Sequence, residues 1–199
     1  MTDFVTISAP SPEWPALFRQ EAACISVALG ALRHEILHVG STSIRGAHAK
    51  PIIDMLLLVE DLETLDANSS GLLGIGYEAK GEYGIPGRRY FRKSSAAGIR
   101  THHVHAFVVG SEGAARHRAF RDYMNTHPRV VAEYSALKRA LVGQPSCTAA
   151  FYIAGKDEFV KHHEALALKW ATSSAIGAQS LVQTPTRYGS RCKPGPRQA

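Results

Sequence analysis

Residues 35–59 read EILHVGSTSIRGAHAKPIIDMLLLV, and this stretch decides how the rest of the chain is interpreted. A short apolar run ends at Gly40, small residues follow, and a second apolar run then carries a single acid, Asp54. Burying a carboxylate costs free energy unless the group is paired, hydrogen-bonded or bound to a metal. Asp54 is therefore either a functional carboxylate or a structural one that braces the preceding loop.

The composition indicates one globular domain. The chain has 199 residues, of which 45% are hydrophobic and 20% are charged, and this balance argues against general disorder. No apolar run approaches the roughly 18 residues that a membrane helix needs. The first residues lack a signal-like apolar core, so we expect a cytoplasmic protein with no membrane partner. The three cysteines are far apart and suggest no disulfide framework.

The net charge of +6 is unevenly distributed along the chain. Residues 171–199 hold four basic residues and no acid, whereas residues 1–170 hold 19 basic and 17 acidic residues. We predict a folded domain over 1–170 and a flexible basic tail over 171–199, because the tail is rich in Ser, Gly, Pro and Gln. Nucleic-acid binding therefore draws weak support from the charge, and it would involve the tail or a local basic site.

Hydrophobic periodicity predicts strands mixed with helices. The predicted helices cover residues 11–29, 61–73, 113–126, 128–142 and 155–170, and the predicted strands cover 35–39, 52–59, 77–80, 88–93 and 100–109. The run 52–59 is apolar on both faces, which is typical of a central strand. The runs 77–80 and 88–93 flank a Gly-rich connection and predict a hairpin. These elements together predict an α/β (α+β) domain with a mixed sheet.

The turn at Gly40-Ser41 predicts an anion site. A strand, a glycine turn and a helical segment over 41–49 leave unpaired N–H groups that suit phosphate. The hydroxyls of Ser41 and Thr42 either add donors or cap the helical segment. Asp54 on the next strand can hold a divalent metal beside this turn. The combination suits a metal–nucleoside triphosphate.

Two histidines on the 100–109 strand are further candidates. His103 and His105 are two residues apart, so they share one face of the strand. They can bind a metal or a phosphate there, or they form an ordinary polar or hydrogen-bonded face.

A basic cluster on the hairpin and the next strand offers guanidinium groups for phosphate. Arg89 and Arg100 are the first choices, and Arg88 is the rival of Arg89. The alternative is that these charges are simply solvated.

Several separated motifs follow one another in the order of a known family pattern. The pattern begins with an apolar residue, a glycine, and then either glycine or serine; here these are Val39, Gly40 and Ser41. About a dozen residues later the pattern has an aspartate, which is Asp54 here. Further matching segments are 14–18, 38–43, 49–54, 88–91, 100–105, 120–123 and 152–156. On these motifs the chain resembles the GrpB-like family of the nucleotidyltransferase superfamily over roughly residues 4–170.

The resemblance implies a nucleotidyltransferase-like fold, with a mixed sheet flanked by helices and further helices at the C-terminal end. It implies Asp54 as a Mg²⁺ ligand and, with Ser41, as a catalytic residue. Lys138 and Lys156 are similar to lysines that reach phosphates in this superfamily, although exposed helix lysines explain them equally well. Lys50 either offsets the charge of Asp54 or meets a phosphate.

Leu56 departs from the superfamily pattern, because a second carboxylate is expected at this position. Asp54 and Leu56 point the same way from their strand, and two-metal phosphoryl transfer needs converging carboxylates. The leading hypothesis is a protein that binds a Mg-nucleotide or another phosphorylated small molecule, with or without nucleotidyl transfer. The alternative is a non-catalytic module that binds a ligand or a partner protein.

Overall fold

A computed structural model describes residues 5–145 and 147–181, with side chains described up to residue 173. The helices are α1 (Trp14–Leu29), α2 (Leu62–Ala67), α3 (Ser70–Gly74), α4 (Glu112–Thr126), α5 (Pro128–Val142) and α6 (Ala149–Leu181). The strands are β1 (His34–Val39), β2 (Ile53–Val59), β3 (Tyr77–Ala79), β4 (Arg89–Ser94) and β5 (Arg100–Val108). A short 3₁₀ helix, Ser41–Ser43, follows β1.

The five strands form one mixed sheet in the order β1-β2-β5-β4-β3. Strands β2 and β5 are parallel, and the other neighbouring pairs are antiparallel. The predicted hairpin is the β3–β4 pair, and β2 lies between two other strands as its apolar sequence predicts. The expected α/β fold, a mixed sheet flanked by helices, is confirmed.

The register of the sheet decides which side chains lie together. Asp54 of β2, His103 of β5 and Arg92 of β4 are neighbours across the three strands. Side chains alternate along a strand, so every second residue from this row points to the same face. We refer to this face, which carries Asp54 and His103, as the site face.

The opposite face of the sheet forms the main hydrophobic core. Met55 and Leu57 of β2 and Val104 of β5 are fully buried there. Helices α1, α2 and α3 cover them, and the anchors include Ile25 of α1 and Leu72 of α3. This packing holds β2 and β5 rigidly and so fixes the residues on the site face.

Helices α4, α5 and α6 lie on the side of the domain that carries the site face. They pack together through Met124, Val131 and Ala167, which are buried. Near the start of α4, Ala114 packs with Leu56 and other apolar residues of the site face. One end of the site face is therefore filled by core, and the end near Asp54 remains open.

Three element boundaries differ from the prediction. The expected helical segment 41–49 is reduced to Ser41–Ser43, since Ile44 is already extended with φ −98° and ψ 121°, and Gly46 has a positive φ of 78°. The predicted helix 61–73 is two helices, α2 and α3. The predicted domain boundary at residue 170 falls inside α6, which continues to Leu181. The remainder of the predicted tail, 182–199, lies outside the described residues.

No helix in the described ranges combines the length and apolarity needed to cross a membrane.

Candidate functional site

Asp54 is the centre of a cluster with two histidines of the neighbouring strand. Its Oδ1 atom accepts a hydrogen bond from Nδ1 of His103 at 3.0 Å and lies 3.7 Å from Nε2 of His105. Burial raises the pKa of Asp54, but its contacts with His103 and His105 outweigh burial and hold this pKa well below its usual range. Asp54 is therefore an anion at neutral pH.

Arg88 fixes the tautomer of one of these histidines. Its Nη1 atom lies 3.3 Å from Nδ1 of His105, while its Nε and Nη2 atoms donate to the carbonyls of Glu82 and Tyr83. An arginine side chain can only donate hydrogen bonds, so Nδ1 of His105 is the acceptor. The proton of the neutral ring then sits on Nε2, which faces Asp54.

Gly40 is required where β1 ends against Asp54. Its φ of 68° and ψ of −172° define a conformation that glycine alone adopts readily. A Cβ atom at this position would lie 2.8 Å from Cβ and 2.9 Å from Cγ of Asp54, which is closer than real side chains approach. The absence of a side chain therefore lets the turn press directly against the Asp54 carboxylate.

Thr42 braces the loop that joins the turn to β2. Its hydroxyl donates to the carbonyl of Ile52 at 3.2 Å, so it accepts the Nε2–H of His38 at 3.0 Å. Burial lowers the pKa of His38 to about 4, which keeps that ring neutral. The one hydroxyl proton of Thr42 is thus already used, although the residue lines the cavity described below.

Lys138 of α5 brings a buried cation to the same turn. Its Nζ atom lies 3.3 Å from Oγ of Ser41 and 3.9 Å from the ring centroid of Tyr134, and the residue is only 1% exposed. Burial, with a smaller contribution from Lys156, lowers the pKa of Lys138 to about 7. Within the described part of the chain, no carboxylate forms an ion pair with it.

The turn, Asp54 and the nearby helices surround a cavity of about 600 Å³. Its cationic lining residues are Lys50, Arg92, Arg100 and Lys156, and its aromatic lining residues are Tyr83, Tyr90, Tyr134 and Tyr152. Among the residues that the structure describes, Asp54 is the only carboxylate in this lining. The cavity is therefore predominantly cationic, with the anionic group at its inner wall.

Most of the predicted site residues meet at this cavity. Those in its lining are Ser41, Thr42, Lys50, Asp54, Arg100, His103 and Lys156. Three others contact the lining from behind: Gly40 abuts Asp54, His105 faces Asp54, and Lys138 reaches Ser41. The sequence motifs thus predict a set of residues that the fold brings together.

Arg89 is the exception among the predicted residues. It lies on the opposite face of the sheet, where its Nε and Nη2 atoms donate to Asp66 of α2 at 2.8 Å. Arg88, the rival candidate, lies beside His105 instead. The choice between them depends on the register of β4 against β5, which the local sequence does not reveal.

Sequence reasoning missed the aromatic part of the site. Tyr90, Tyr134 and Tyr152 carry no sequence signal that separates them from ordinary core residues, yet each lines the cavity. It also missed His117 of α4, whose ring centroid lies 5.1 Å from that of His105. Burial lowers the pKa of His117 to about 4, so this neighbour is neutral.

The basic residues of the hairpin are mostly paired. Arg92 and Lys80 both contact Glu78, at 3.0 Å and 2.7 Å, and Lys93 contacts Glu21 at 2.8 Å. Such pairs leave less free charge on the hairpin for a polyanion than the sequence suggests. The four basic residues of the tail lie outside the described residues.

The groups around Asp54 do not match the ligand set that Mg²⁺ prefers. Mg²⁺ takes oxygen ligands in octahedral geometry, and imidazole suits other metals better. Here one carboxylate faces two imidazoles, His103 and His105. The position expected for a second carboxylate is Leu56, which is 0% exposed and packed in an apolar cluster. The expectation of Mg²⁺ stays a prediction, and the ligand set does not favour it.

The fold and the site together define an α/β domain in which a glycine-serine turn abuts a carboxylate on the adjacent strand. Residues 4–165 match the family model described as GrpB protein. The chain therefore belongs to the GrpB family, and the resemblance inferred from its motifs is confirmed.

Relatives of known sequence and structure agree with this assignment. The chain is 40% identical over 178 residues to the UPF0157 protein YqkA of Bacillus subtilis, covering 89% of this chain and 51% of YqkA. It thus spans about half the length of that relative. It superposes on the crystal structure of the conserved protein GrpB from Enterococcus faecalis with a TM-score of 0.78 at 36% identity, covering 83% of this chain and 99% of that one.

Similarity to nucleotidyltransferases is weaker. A cytoplasmic RNA terminal U-transferase superposes with a TM-score of 0.48 at 14% identity, covering 65% of this chain and 41% of that one. A likeness of this size supports no conclusion about activity.

Proposed function

We propose that this domain binds a phosphorylated small molecule, with a nucleoside triphosphate as the first candidate, in the cavity beside the Gly40-Ser41 turn. The observation that carries the proposal is Lys138, a buried lysine whose neighbours among the described residues are a hydroxyl and an aromatic ring but no carboxylate. Burial makes the charged form of this lysine costly, and a bound phosphate would supply the anion that favours the charged form.

The surroundings of Lys138 favour a polyphosphate over a single anion. Lys156 lies close enough to lower the pKa of Lys138, and Lys50 and Arg100 line the same cavity. Several cations around one cavity suit a chain of phosphate groups, each carrying negative charge.

The rest of the cavity suits the remainder of a nucleotide. A volume of about 600 Å³ lies within the range of pockets that hold cofactors and drug-sized ligands. Tyr83 is 63% exposed and stacks on Tyr90 with the ring centroids 5.2 Å apart, so its outer face offers a flat surface that can stack on any nucleobase with little selectivity. We therefore expect binding of several nucleotides, with preference set mainly by the number of phosphates.

Binding is better supported than transfer. Nucleotidyl transfer in this superfamily relies on converging carboxylates and their metal ions, whereas the cavity described here contains Asp54 alone and Leu56 is buried core. We propose Asp54 as the residue that orients His103 and His105 at the inner wall. The finer hypothesis is nucleotidyl transfer to an acceptor, with Asp54 and Ser41 as catalytic residues. It requires a group other than the Asp54 carboxylate to stabilise the charge that develops during transfer.

A thermal-shift panel tests the proposal. The ligands are pyrophosphate and the four common nucleoside triphosphates, each with EDTA and with Mg²⁺. We expect stabilisation that grows with the number of phosphates, is lost in Lys138→Met and is retained in the control Lys169→Met on the exposed surface of α6. No response to any of these ligands would refute the phosphate site. Release of pyrophosphate from a bound nucleotide would add transfer to binding.

A further inference from the structure

We infer that Asp54, His103 and His105 form a binding site for a divalent transition metal that favours imidazole ligands, with Zn²⁺ as the reference ion, rather than for Mg²⁺. The inference concerns the inner wall of the same cavity but does not depend on the proposed phosphate ligand, because the ion alone tests it.

The geometry of the three side chains suits one ion. One ligand atom from each residue lies within 4.8 Å of the others. Oδ1 of Asp54 is 3.0 Å from Nδ1 of His103 and 3.7 Å from Nε2 of His105. An ion held at about 2.0–2.2 Å by each ligand places neighbouring ligand atoms about 3 to 4 Å apart. The cluster therefore needs little rearrangement to enclose an ion.

The backbone holds these ligands in place. His103 is in register with Asp54 on the adjacent parallel strand, and His105 follows two residues later on the same face. The side chain of Asp54 is 27% exposed, and those of His103 and His105 are each 16% exposed. Three protein ligands with one open side resemble catalytic metal sites, which keep a coordination position for water or substrate.

The chemistry of the ligand set selects the ion. Two imidazoles and one carboxylate suit Zn²⁺ and the neighbouring transition metals, and the set of two histidines and one carboxylate also occurs with Fe²⁺. Mg²⁺ has little affinity for imidazole and keeps its oxygen ligands. The position where another carboxylate would help Mg²⁺ holds Leu56, which packs in an apolar cluster.

Arg88 should weaken metal binding at His105, and this effect can be measured. In the described arrangement, Nδ1 of His105 accepts a hydrogen bond from Nη1 of Arg88 at 3.3 Å. An ion on Nε2 moves the ring proton to Nδ1, where it meets the guanidinium donor, so this contact must break. The positive charge of Arg88 also repels the ion. Removing Arg88 should therefore strengthen metal binding.

Calorimetric titration of the chelator-treated full chain with ZnCl₂, MnCl₂ or MgCl₂ tests the inference. We expect Zn²⁺ to bind at one site and Mg²⁺ not to bind measurably. His103→Gln and His105→Gln should each weaken Zn²⁺ at least about tenfold, by comparison with losses from disturbing metal-site neighbours. The exposed His162→Gln is the matched control and should leave the affinity unchanged.

Several results would overturn the inference. The first is that Zn²⁺ does not bind, and the second is that Mg²⁺ binds as tightly as Zn²⁺. The third is that Zn²⁺ affinity is unchanged in His103→Gln or His105→Gln when circular dichroism shows that the variant is folded. Arg88→Gln should tighten Zn²⁺ binding severalfold, and an unchanged affinity would contradict the placement of the ion on Nε2 of His105. Pyrophosphate titrated in EDTA tests the phosphate site separately, so failure of one claim does not decide the other.

Discussion

The ammonium group of Lys138 lies 3.3 Å from the hydroxyl of Ser41, although the two residues are 97 positions apart in the chain. Ser41 follows the glycine turn after β1, and Lys138 comes from the middle of α5. The contact joins the sheet to the C-terminal helices at the end of the cavity. Within the described ranges the buried Lys138 has no carboxylate partner, which is the basis of the proposed anion site.

Replacing Lys138 by methionine should raise stability while weakening ligand binding. Methionine fills a similar volume without a buried charge, and such replacements are often neutral or stabilising. A gain of about 1 kcal/mol in the free energy of unfolding would raise Tm by roughly 2–4 °C. Urea unfolding of both proteins at pH 7 gives the difference. A clear loss of stability would indicate that Lys138 serves the fold and not a ligand.

The pKa of Lys138 gives a second prediction, on the pH dependence of stability. Its value of about 7 in the folded protein lies below the usual value of about 10.4 for an unfolded chain. Between these values the unfolded chain binds more protons, so this group makes the folded state more stable as pH rises. Between pH 7 and pH 9.5 the wild type should therefore gain about 1 to 3 kcal/mol of unfolding free energy relative to Lys138→Met.

The measurement is urea unfolding of the wild type and Lys138→Met at both pH values. Taking the difference between the two proteins cancels the titration of all other groups. A difference that stays constant from pH 7 to pH 9.5 would show that Lys138 titrates normally and is not desolvated.

The local sequence predicts the centre of the site well. Gly40, Ser41 and Asp54 lie within one short stretch, and the apolar run around Asp54 identifies its strand as central. A glycine before a buried acid is a local signal, because the turn and the strand are adjacent in the chain. The lysines on α5 and α6 were predicted from family motifs, since nothing in the helix pattern separates Lys138 from an exposed lysine.

The parts that the sequence does not predict depend on distant packing. Choosing Arg88 over Arg89 requires the register of β4 against β5, and a shift of one residue exchanges the two faces. The helical segment after Ser41 is shorter than predicted because the backbone is already extended at Ile44. The aromatic lining has no sequence signal, since a tyrosine such as Tyr134 contacts the core and the cavity at once.

Gly40→Ala should destabilise the domain more than Gly46→Ala does. Both glycines have positive φ, so alanine is strained at either position. A Cβ at Gly46 meets nothing within 4 Å, whereas one at Gly40 collides with Asp54. We expect the Gly40 variant to lose about 1 to 3 kcal/mol beyond its matched control. Equal losses in urea unfolding would show that Asp54 moves away freely and is not held against the turn.

Leu56→Asp should strongly destabilise the domain rather than restore a metal site. Leu56 is fully buried against Val39 and Phe107, so an aspartate there is a buried, unpaired charge. The expected loss is about 3 to 5 kcal/mol, whereas the control Leu56→Met, which conserves volume, should lose less than about 1.5 kcal/mol. Circular dichroism during urea unfolding measures both. A stable variant that gains Mg²⁺-dependent stability would instead show that this position opens to the cavity.

The most direct test of the proposed phosphate site is calorimetric titration of pyrophosphate, in the presence of EDTA, into the wild type, Lys138→Met and Lys169→Met. Hydrogen bonds to charged groups contribute about 1.5–3 kcal/mol, so loss of Lys138 should weaken binding by about 10- to 100-fold. We predict binding at one site in the wild type and in Lys169→Met, with that loss in Lys138→Met. Absence of binding to the wild type, or equal affinity in Lys138→Met, would contradict the phosphate site.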